Sequence, residues 1–322
     1  MRWLVTGGAG YIGAHVVRSL AERGFEPVVI DDLSSGQAEF VPEGVPLVVG
    51  DVIDQDLVER TLRDWSVGGV VHLAGFKYAG VSVARPLHTY TQNVTGMVSL
   101  LAAAQAVGVD NFVFSSSASV YGTPQVELVT EETATGPESP YGETKLIGEW
   151  LLRDQARARP SLRQVALRYF NVVGSGTPEV YDTSPHNLFP IVIERLRAQG
   201  TPQINGDDYP TPDGTCVRDY VHVQDLAHSH AVAAAALAAG QTLRPVYNLG
   251  SGLGLSVRQI MDAFARVTGI DFEPVVQPRR PGDPARIVAA ADLAAADLDW
   301  RMRHSIDQMV DSAWRAGPTA SA

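Results

Sequence analysis

Thr6-Gly7-Gly8-Ala9-Gly10-Tyr11-Ile12-Gly13 follows the short apolar run Trp3-Leu4-Val5 and opens a helical pattern. Gly7 and Gly10 permit a tight turn and a close backbone approach to a pyrophosphate. A helix beginning at Tyr11 and Ile12 adds unpaired N–H groups and the positive end of its dipole. Gly13 lets that helix lie against the strand. The next apolar run, Pro27 to Ile30, ends at Asp31-Asp32. Asp31 stands about 20 residues beyond the turn, where a carboxylate takes up a ribose diol. It would repel a 2′-phosphate, and Leu33-Ser34-Ser35-Gly36 has no Arg or Lys to receive one, so the pattern favours NAD over NADP. A turn serving packing alone would not need strand, glycines, helix and acid in register.

Working outward, further strands are expected at Leu47 to Gly50, Gly69 to Leu73, Asn111 to Ser115 and Gln164 to Tyr169, besides Arg2 to Thr6. Helices are expected near 11–23, 54–64, 85–107 and 141–158. Such alternation predicts an α/β fold with a Rossmann-type, doubly wound parallel sheet, whose ligands sit beyond the carboxyl ends of the strands. At those ends Asp51 and Val52 follow the third strand; Asp51 could meet an adenine amino group or cap a helix. Leu73-Ala74-Gly75 closes the fourth with small residues that admit a cofactor, although Gly75 serves equally as a turn residue.

After about residue 171 Pro and Gly become dense, from Thr201 to Gly214 and from Pro274 to Pro284. Residues 1–170 are therefore expected to form the NAD-binding domain. Residues 171–316 are expected to form mainly a smaller α/β substrate lobe, with some segments returning to the sheet, and 317–322 a tail. Val223 to Ala239 and Ser256 to Thr268 read as helices stopped by Gly240 and Gly269.

With 45% apolar and 19% charged residues the 322-residue chain reads as globular, and its net charge of −11 argues against non-specific binding to nucleic acid or anionic membranes. The amino terminus enters the first strand without a basic leader, and no apolar run approaches the ~20 residues of a bilayer span. A soluble, cytoplasmic protein is expected. Cys216 is the only cysteine, so no intrachain disulfide and no Cys-based zinc site are expected. The histidines, among them His72, His222, His228 and His230, lack ligand spacing, so no metal is expected.

The chemistry is expected at Ser139-Pro140-Tyr141-Gly142-Glu143-Thr144-Lys145. Ser139 is a good N-cap and Pro140 a favoured first helical residue, so Tyr141 falls in the first turn with Lys145 on the same face. The helix dipole and the ammonium should both lower a phenol pKa that is ordinarily about 10. Ser117, in the serine run closing the fifth strand, could bridge a substrate oxygen to Tyr141 or be a turn residue. Tyr141 would accept a carbinol proton as hydride leaves for nicotinamide, and Lys145 would hold the nicotinamide ribose.

Gly7 to Gly13, His72-Leu-Ala-Gly-Phe-Lys77, Ser115 to Gly122, Ser139 to Gly142 and Leu167-Arg-Tyr-Phe-Asn171 together resemble nucleotide-sugar epimerases of the extended short-chain dehydrogenase/reductase superfamily. Gly206 to Leu226 is similar to the substrate-lobe signature of the branch acting on UDP-hexoses, and the likeness spans essentially residues 1 to 315. It implies reversible epimerisation at C4 through a 4-keto sugar and catalysis by Ser117, Tyr141 and Lys145. Cofactor contacts are implied at Tyr11, Ile12, Lys77, Asn93, Ser115 and Phe170. Asn171, Asn187, Leu188, Arg218 and Arg280 are implied to grip diphosphate or sugar, and Asp283 the uridine ribose. Lys77 is also implied to border the sugar, while Gln203 and Asn205 replace the more apolar run usual in the family where uracil packs. Arg218 and Arg280 suit phosphate oxygens as guanidinium forks, or could pair with carboxylates. Ile287 matches the position that gates N-acetyl sugars. The family also implies a homodimer through the helices near 85–107 and 141–158.

Three alternatives are a 4-epimerase of another UDP-sugar, a 4,6-dehydratase and a non-catalytic NAD-sensing protein. The dehydratase would need a carboxylate pair near the end of the fifth strand, and Ser115-Ser116-Ser117 offers none.

Overall fold

A computed structural model describes residues 1–280 and 283–317. Pro281 and Gly282 of the Pro/Gly-rich loop, and residues 318–322 of the expected tail, lie outside the described residues. The first half runs β1 (Arg2–Thr6), α1 (Tyr11–Glu22), β2 (Glu26–Asp31), β3 (Leu47–Val49), α2 (Gln55–Asp64) and β4 (Val67–His72). Three short helical pieces follow, α3 (Ala79–Ala84), α4 (Pro86–Tyr90) and, after a π turn at Thr91–Thr95, α5 (Gly96–Val107). Then come β5 (Asn111–Ser117), a 3₁₀ turn at Ala118–Tyr121, α6 (Pro140–Ala158) and β6 (Arg163–Tyr169).

The second half comprises β7 (Asn171–Val173), α7 (Leu188–Arg197), β8 (Gln203–Asn205), β9 (Val217–Arg218), β10 (Tyr220–His222), α8 (Val223–Ala238) and β11 (Val246–Leu249). It continues through β12 (Leu255–Ser256), α9 (Val257–Thr268), β13 (Val275–Gln277), β14 (Arg286–Ile287), α10 (Asp292–Leu298) and α11 (Ile306–Arg315).

Seven strands form the expected doubly wound parallel sheet in the order β11-β6-β5-β4-β1-β2-β3. Its strands read as nearly continuous apolar runs because both faces are covered. On one face Val16, Val17 and Leu20 of α1 share a core with Leu226, Ala231, Ala234 and Leu237 of α8. On the other, Val58 and Leu62 of α2 and Met97, Leu100 and Leu101 of α5 pack over Leu4, Val70 and Phe112. A third core joins Phe189, Val192, Phe264 and Val310 of α7, α9 and α11 into the smaller lobe.

One feature differs from the sequence reading: the helix expected at 85–107 is interrupted by the π turn. Among the elements beyond 171, α8 roofs the main sheet and β11 pairs with β6, so both belong to the large layer. Among the described residues no helix is long and apolar enough to cross a membrane.

Candidate active site

The glycine turn has the shape its sequence requires. Gly7 adopts φ +72°, and a Cβ there would lie 2.7 Å from the Ala74 nitrogen. A Cβ on Gly13 would run into the Gly7 carbonyl oxygen. α1 starts with Gly10 as its N-cap, without a side-chain cap or an acidic residue in its first turn. These observations fit a dinucleotide pyrophosphate at the helix start.

Tyr11 is buried and donates from Oη to the Gly174 carbonyl at 2.6 Å, and burial pushes its pKa up; Ile12 is half-buried. Asp31 Oδ2 accepts from Ala9 N at 3.0 Å and Oδ1 from Leu33 N at 2.9 Å, so the acid also ties the turn to the loop after β2. A carboxylate with two bonds made retains lone pairs for a diol. Burial raises the Asp31 pKa, opposed by the two backbone N–H groups. Asp32 is exposed and accepts from Ser34.

Asp51 accepts from Ile53 N at 2.9 Å, while Asp54 is the residue that caps α2, so the capping alternative for Asp51 fails. Val52 is buried beneath Gly96. Leu73 and Ala74 are half-buried, with their amides on Thr6, and Gly75 is exposed at φ +141°. Asn93 is used by the protein itself: its amide accepts from Phe76 N at 2.6 Å and donates to Phe76 O and Thr144 Oγ1. Lys77 is exposed, 5.7 Å from the Tyr78 ring, and Phe170 is buried beside Val120 and Leu146.

Beyond β5 the three chemical residues meet. Ser139 Oγ accepts from Gly142 N at 3.2 Å and Pro140 takes the first helical position, so Tyr141 lies in the first turn. The phenol is buried and hydrogen-bonded by Ser117, whose Oγ also accepts from Ser119 N at 3.1 Å. Lys145 Nζ donates to the Ser115 carbonyl at 2.8 Å, 5.1 Å from the Phe114 ring centroid and 5.8 Å from that of Tyr141. Ser115 Oγ meets His230 Nε2 at 2.8 Å; His230 Nδ1 faces the Leu226 carbonyl and so carries the proton, leaving Nε2 to accept.

One expectation is corrected. The Tyr141 pKa lies above the ordinary phenol value, because burial disfavours the phenolate more than the Ser117 bond favours it. Lys145 is lowered to about 8 by burial, against the carboxylate of Glu149. Sequence reading missed Tyr169, half-buried close to Tyr141, and the buried pair Glu149 and Arg168. Glu149 was visible as the next same-face residue after Lys145; Tyr169 carried no such signal.

A second group assembles in the smaller lobe. Arg218 Nη2 donates to Asp283 Oδ1 at 3.2 Å, so this guanidinium has a carboxylate partner. With the Asn205 amide oriented to suit its neighbours, its oxygen accepts from Arg280 Nε at 3.1 Å and Nη2 at 3.2 Å. Gln203 is half-buried on the same strand, β8. Asn171 is exposed on β7 and bonds the buried Tyr220 phenol. Asn187 precedes α7 and donates to Asp182 at 2.6 Å, and Leu188 is the first residue of that helix. Ile287 packs on the cluster containing Phe170 and Ala289.

The chain belongs to the NAD dependent epimerase/dehydratase family, whose model matches residues 3–250. Among its curated relatives are proteins named UDP-glucose 4-epimerase. That of Azospirillum brasilense is 43% identical, covering 97% of this chain and 90% of the relative; that of Streptomyces lividans is 41% identical, covering 97% and 95%. The solved UDP-glucose 4-epimerase from Brucella ovis in complex with NAD is 38% identical with a TM-score of 0.93, covering 97% of each chain. The one from Bifidobacterium longum in complex with NAD+ and UDP is 37% identical with a TM-score of 0.89, covering 98% of this chain and 97% of that one.

Proposed function

We propose that the protein catalyses reversible epimerisation at C4 of a UDP-hexose, interconverting UDP-galactose and UDP-glucose through a 4-keto sugar, with NAD as cofactor. The observation that carries this reading is the meeting of Ser117 with the Tyr141 phenol above β5, with Lys145 held on the Ser115 carbonyl of the same strand. Relatives named UDP-glucose 4-epimerase over nearly the full length, and solved relatives holding NAD and UDP, support it.

Gly7, Gly10 and Gly13 would hold the NAD pyrophosphate and Asp31 a ribose. Bound NAD supplies a two-electron acceptor and donor at the sugar C4. Tyr141 Oη takes the 4-hydroxyl proton, with Ser117 orienting that hydroxyl, and gives the proton back when the alcohol re-forms with inverted configuration. Lys145 keeps a positive charge near the phenol and so favours the proton's departure. Arg218, Arg280, Asp283 and Asn205 would grip the UDP portion from β8, β9 and the loop before β14. Because these elements are distinct from those carrying Tyr141, the sugar can turn about its diphosphate linkage while UDP stays held. On this reading residues 1–170 form the cofactor domain and 171–316 mainly the substrate lobe.

A homodimer is supported by Val83, Leu87, Val98 and Trp150, large apolar side chains left exposed on α3, α4, α5 and α6. A single cysteine, with no intrachain disulfide to form, supports a cytoplasmic setting.

Purified protein incubated with UDP-galactose, UDP-N-acetylgalactosamine or UDP-glucuronate, without added NAD, tests the reading by chromatography. Conversion of UDP-galactose to UDP-glucose is expected. Turnover of UDP-glucuronate alone would assign a different 4-epimerase.

A further inference from the structure

Tyr141, Lys145 and Glu149 are spaced four apart on α6, so a carboxylate lies one turn beyond the ammonium on the face that carries the chemistry. Its side chain is 6% exposed and is engaged on every side. Arg168 donates to it from Nε at 2.8 Å and from Nη2 at 2.6 Å, and Ser116 donates from Oγ at 2.5 Å.

Ser116 and Arg168 are paired in register across β5 and β6. The neighbours of Ser116 are Ser115, whose carbonyl receives Lys145, and Ser117, which bonds the Tyr141 phenol. The third donor of Arg168, Nη1, meets Tyr121 Oη at 2.9 Å at the end of the 3₁₀ turn that leaves Ser117.

We propose that Glu149, locked by Arg168 and Ser116, is a positioning residue that sets the charge state of Lys145 and the seat of Ser115 and Ser117 beneath Tyr141. Nothing in the proton transfer itself requires a carboxylate here, and burying an ion pair is weak support for stability. The Glu149 carboxylate sits where its charge reaches Lys145, and the pair sits where its geometry reaches the strand residues beneath Tyr141.

The other polar groups close to Lys145 do not serve this purpose. His72 on β4 is neutral, its pKa lowered to about 3 by burial, and the phenols of Tyr141 and Tyr169 are raised by burial. Next to it Ser115 offers its carbonyl, and His230 of α8 is occupied by the Ser115 hydroxyl and the Leu226 carbonyl. Glu149 is the carboxylate that opposes the desolvation of Lys145.

The inference rests on the hydride-transfer reading of the site, so its test includes a measurement independent of turnover. Trace acetylation of the holoenzyme with acetic anhydride, followed on the Lys145 peptide by mass spectrometry across pH, reports where this amine loses its proton. In E149Q/R168M, which removes both charges and keeps their bulk, the Lys145 inflection should fall by about one pH unit or more. The alkaline limb of kcat should move down with it, and KM should stay within about twofold. An unmoved inflection would overturn the charge role.

Ser116→Ala preserves both charges and deletes one small contact, so it decides the seating role even if the double variant does not fold. Its kcat should drop about fivefold or more, with KM and the Lys145 inflection unchanged; a wild-type kcat would overturn the seating role. A wild type that shows the Lys145 inflection but no turnover of any UDP-hexose would instead count against the functional reading.

Discussion

On the proposed mechanism Tyr141 gives and takes a proton within one turnover, yet its surroundings favour the neutral phenol. Its hydrogen bond with Ser117 pulls its pKa down, against the effect of burial. In Ser117→Ala the phenol pKa should therefore rise, and the acid limb of kcat should move to higher pH, with kcat falling about tenfold or more. A limb that stays in place would mean the serine does not act on the phenol. This bond was partly legible beforehand: the spacing of Tyr141 and Lys145 and the serine run closing β5 named the three residues. The sign of the pKa shift was not, because desolvation depends on what covers the ring, and that cover comes from elements remote in sequence.

At the scale of elements, the strongest local signals held. Ser139 and Pro140 start α6, and Ser256 with Gln259 forms a capping box on α9, which stops at Gly269 in the left-handed region. The glycine turn is equally explicit. Gly13→Ala would press a methyl group into the Gly7 carbonyl and Gly8. It should cost about 1–3 kcal/mol of stability and release NAD, read by thermal unfolding and by the cofactor absorbance of the purified protein. Retained NAD with an unchanged melting temperature would show that the helix does not need that approach.

The π turn at Thr91–Thr95 was not legible. Asn93 within it bonds Phe76 and Thr144, and such tertiary bonds leave no trace in a hydrophobic period. On either side of it, α4 and α5 expose Leu87 and Val98, and α6 exposes Trp150. Leu87→Glu with Trp150→Glu should convert the proposed dimer to monomers in light scattering. An unaltered mass would place the interface elsewhere.

The whole molecule does not divide cleanly at residue 171. The Ala-rich α8 lies beyond residue 171 yet roofs the main sheet, since alternating Ala with Leu226 and Leu237 lets it approach α1 closely. Helical propensity was readable there, but the surface it packs on was not.

The fold also buries four neutral histidines, with His15 and His230 lowered to about 4 and His72 and His222 to about 3, in each case chiefly by desolvation. Unfolded, each takes up a proton near pH 6.5. Below that pH the unfolded state binds more protons, so stability falls as pH falls, by about 1.4 kcal/mol per pH unit for each histidine until its native pKa is reached. Asp31 and Asp219, raised by burial, act in the opposite sense at lower pH. Urea midpoints should therefore drop between pH 7 and pH 5; a flat profile would mean that these histidines are protonated in the native state.

The central claim is that Tyr141 is the group that moves the proton while other residues hold UDP. It is tested most directly by comparing wild type and Tyr141→Phe in the conversion of UDP-galactose to UDP-glucose, together with UDP affinity by calorimetry. The expected result is a loss of about 10³-fold or more in kcat with UDP affinity unchanged. Turnover that survives the substitution, or affinity lost in equal measure, would contradict it.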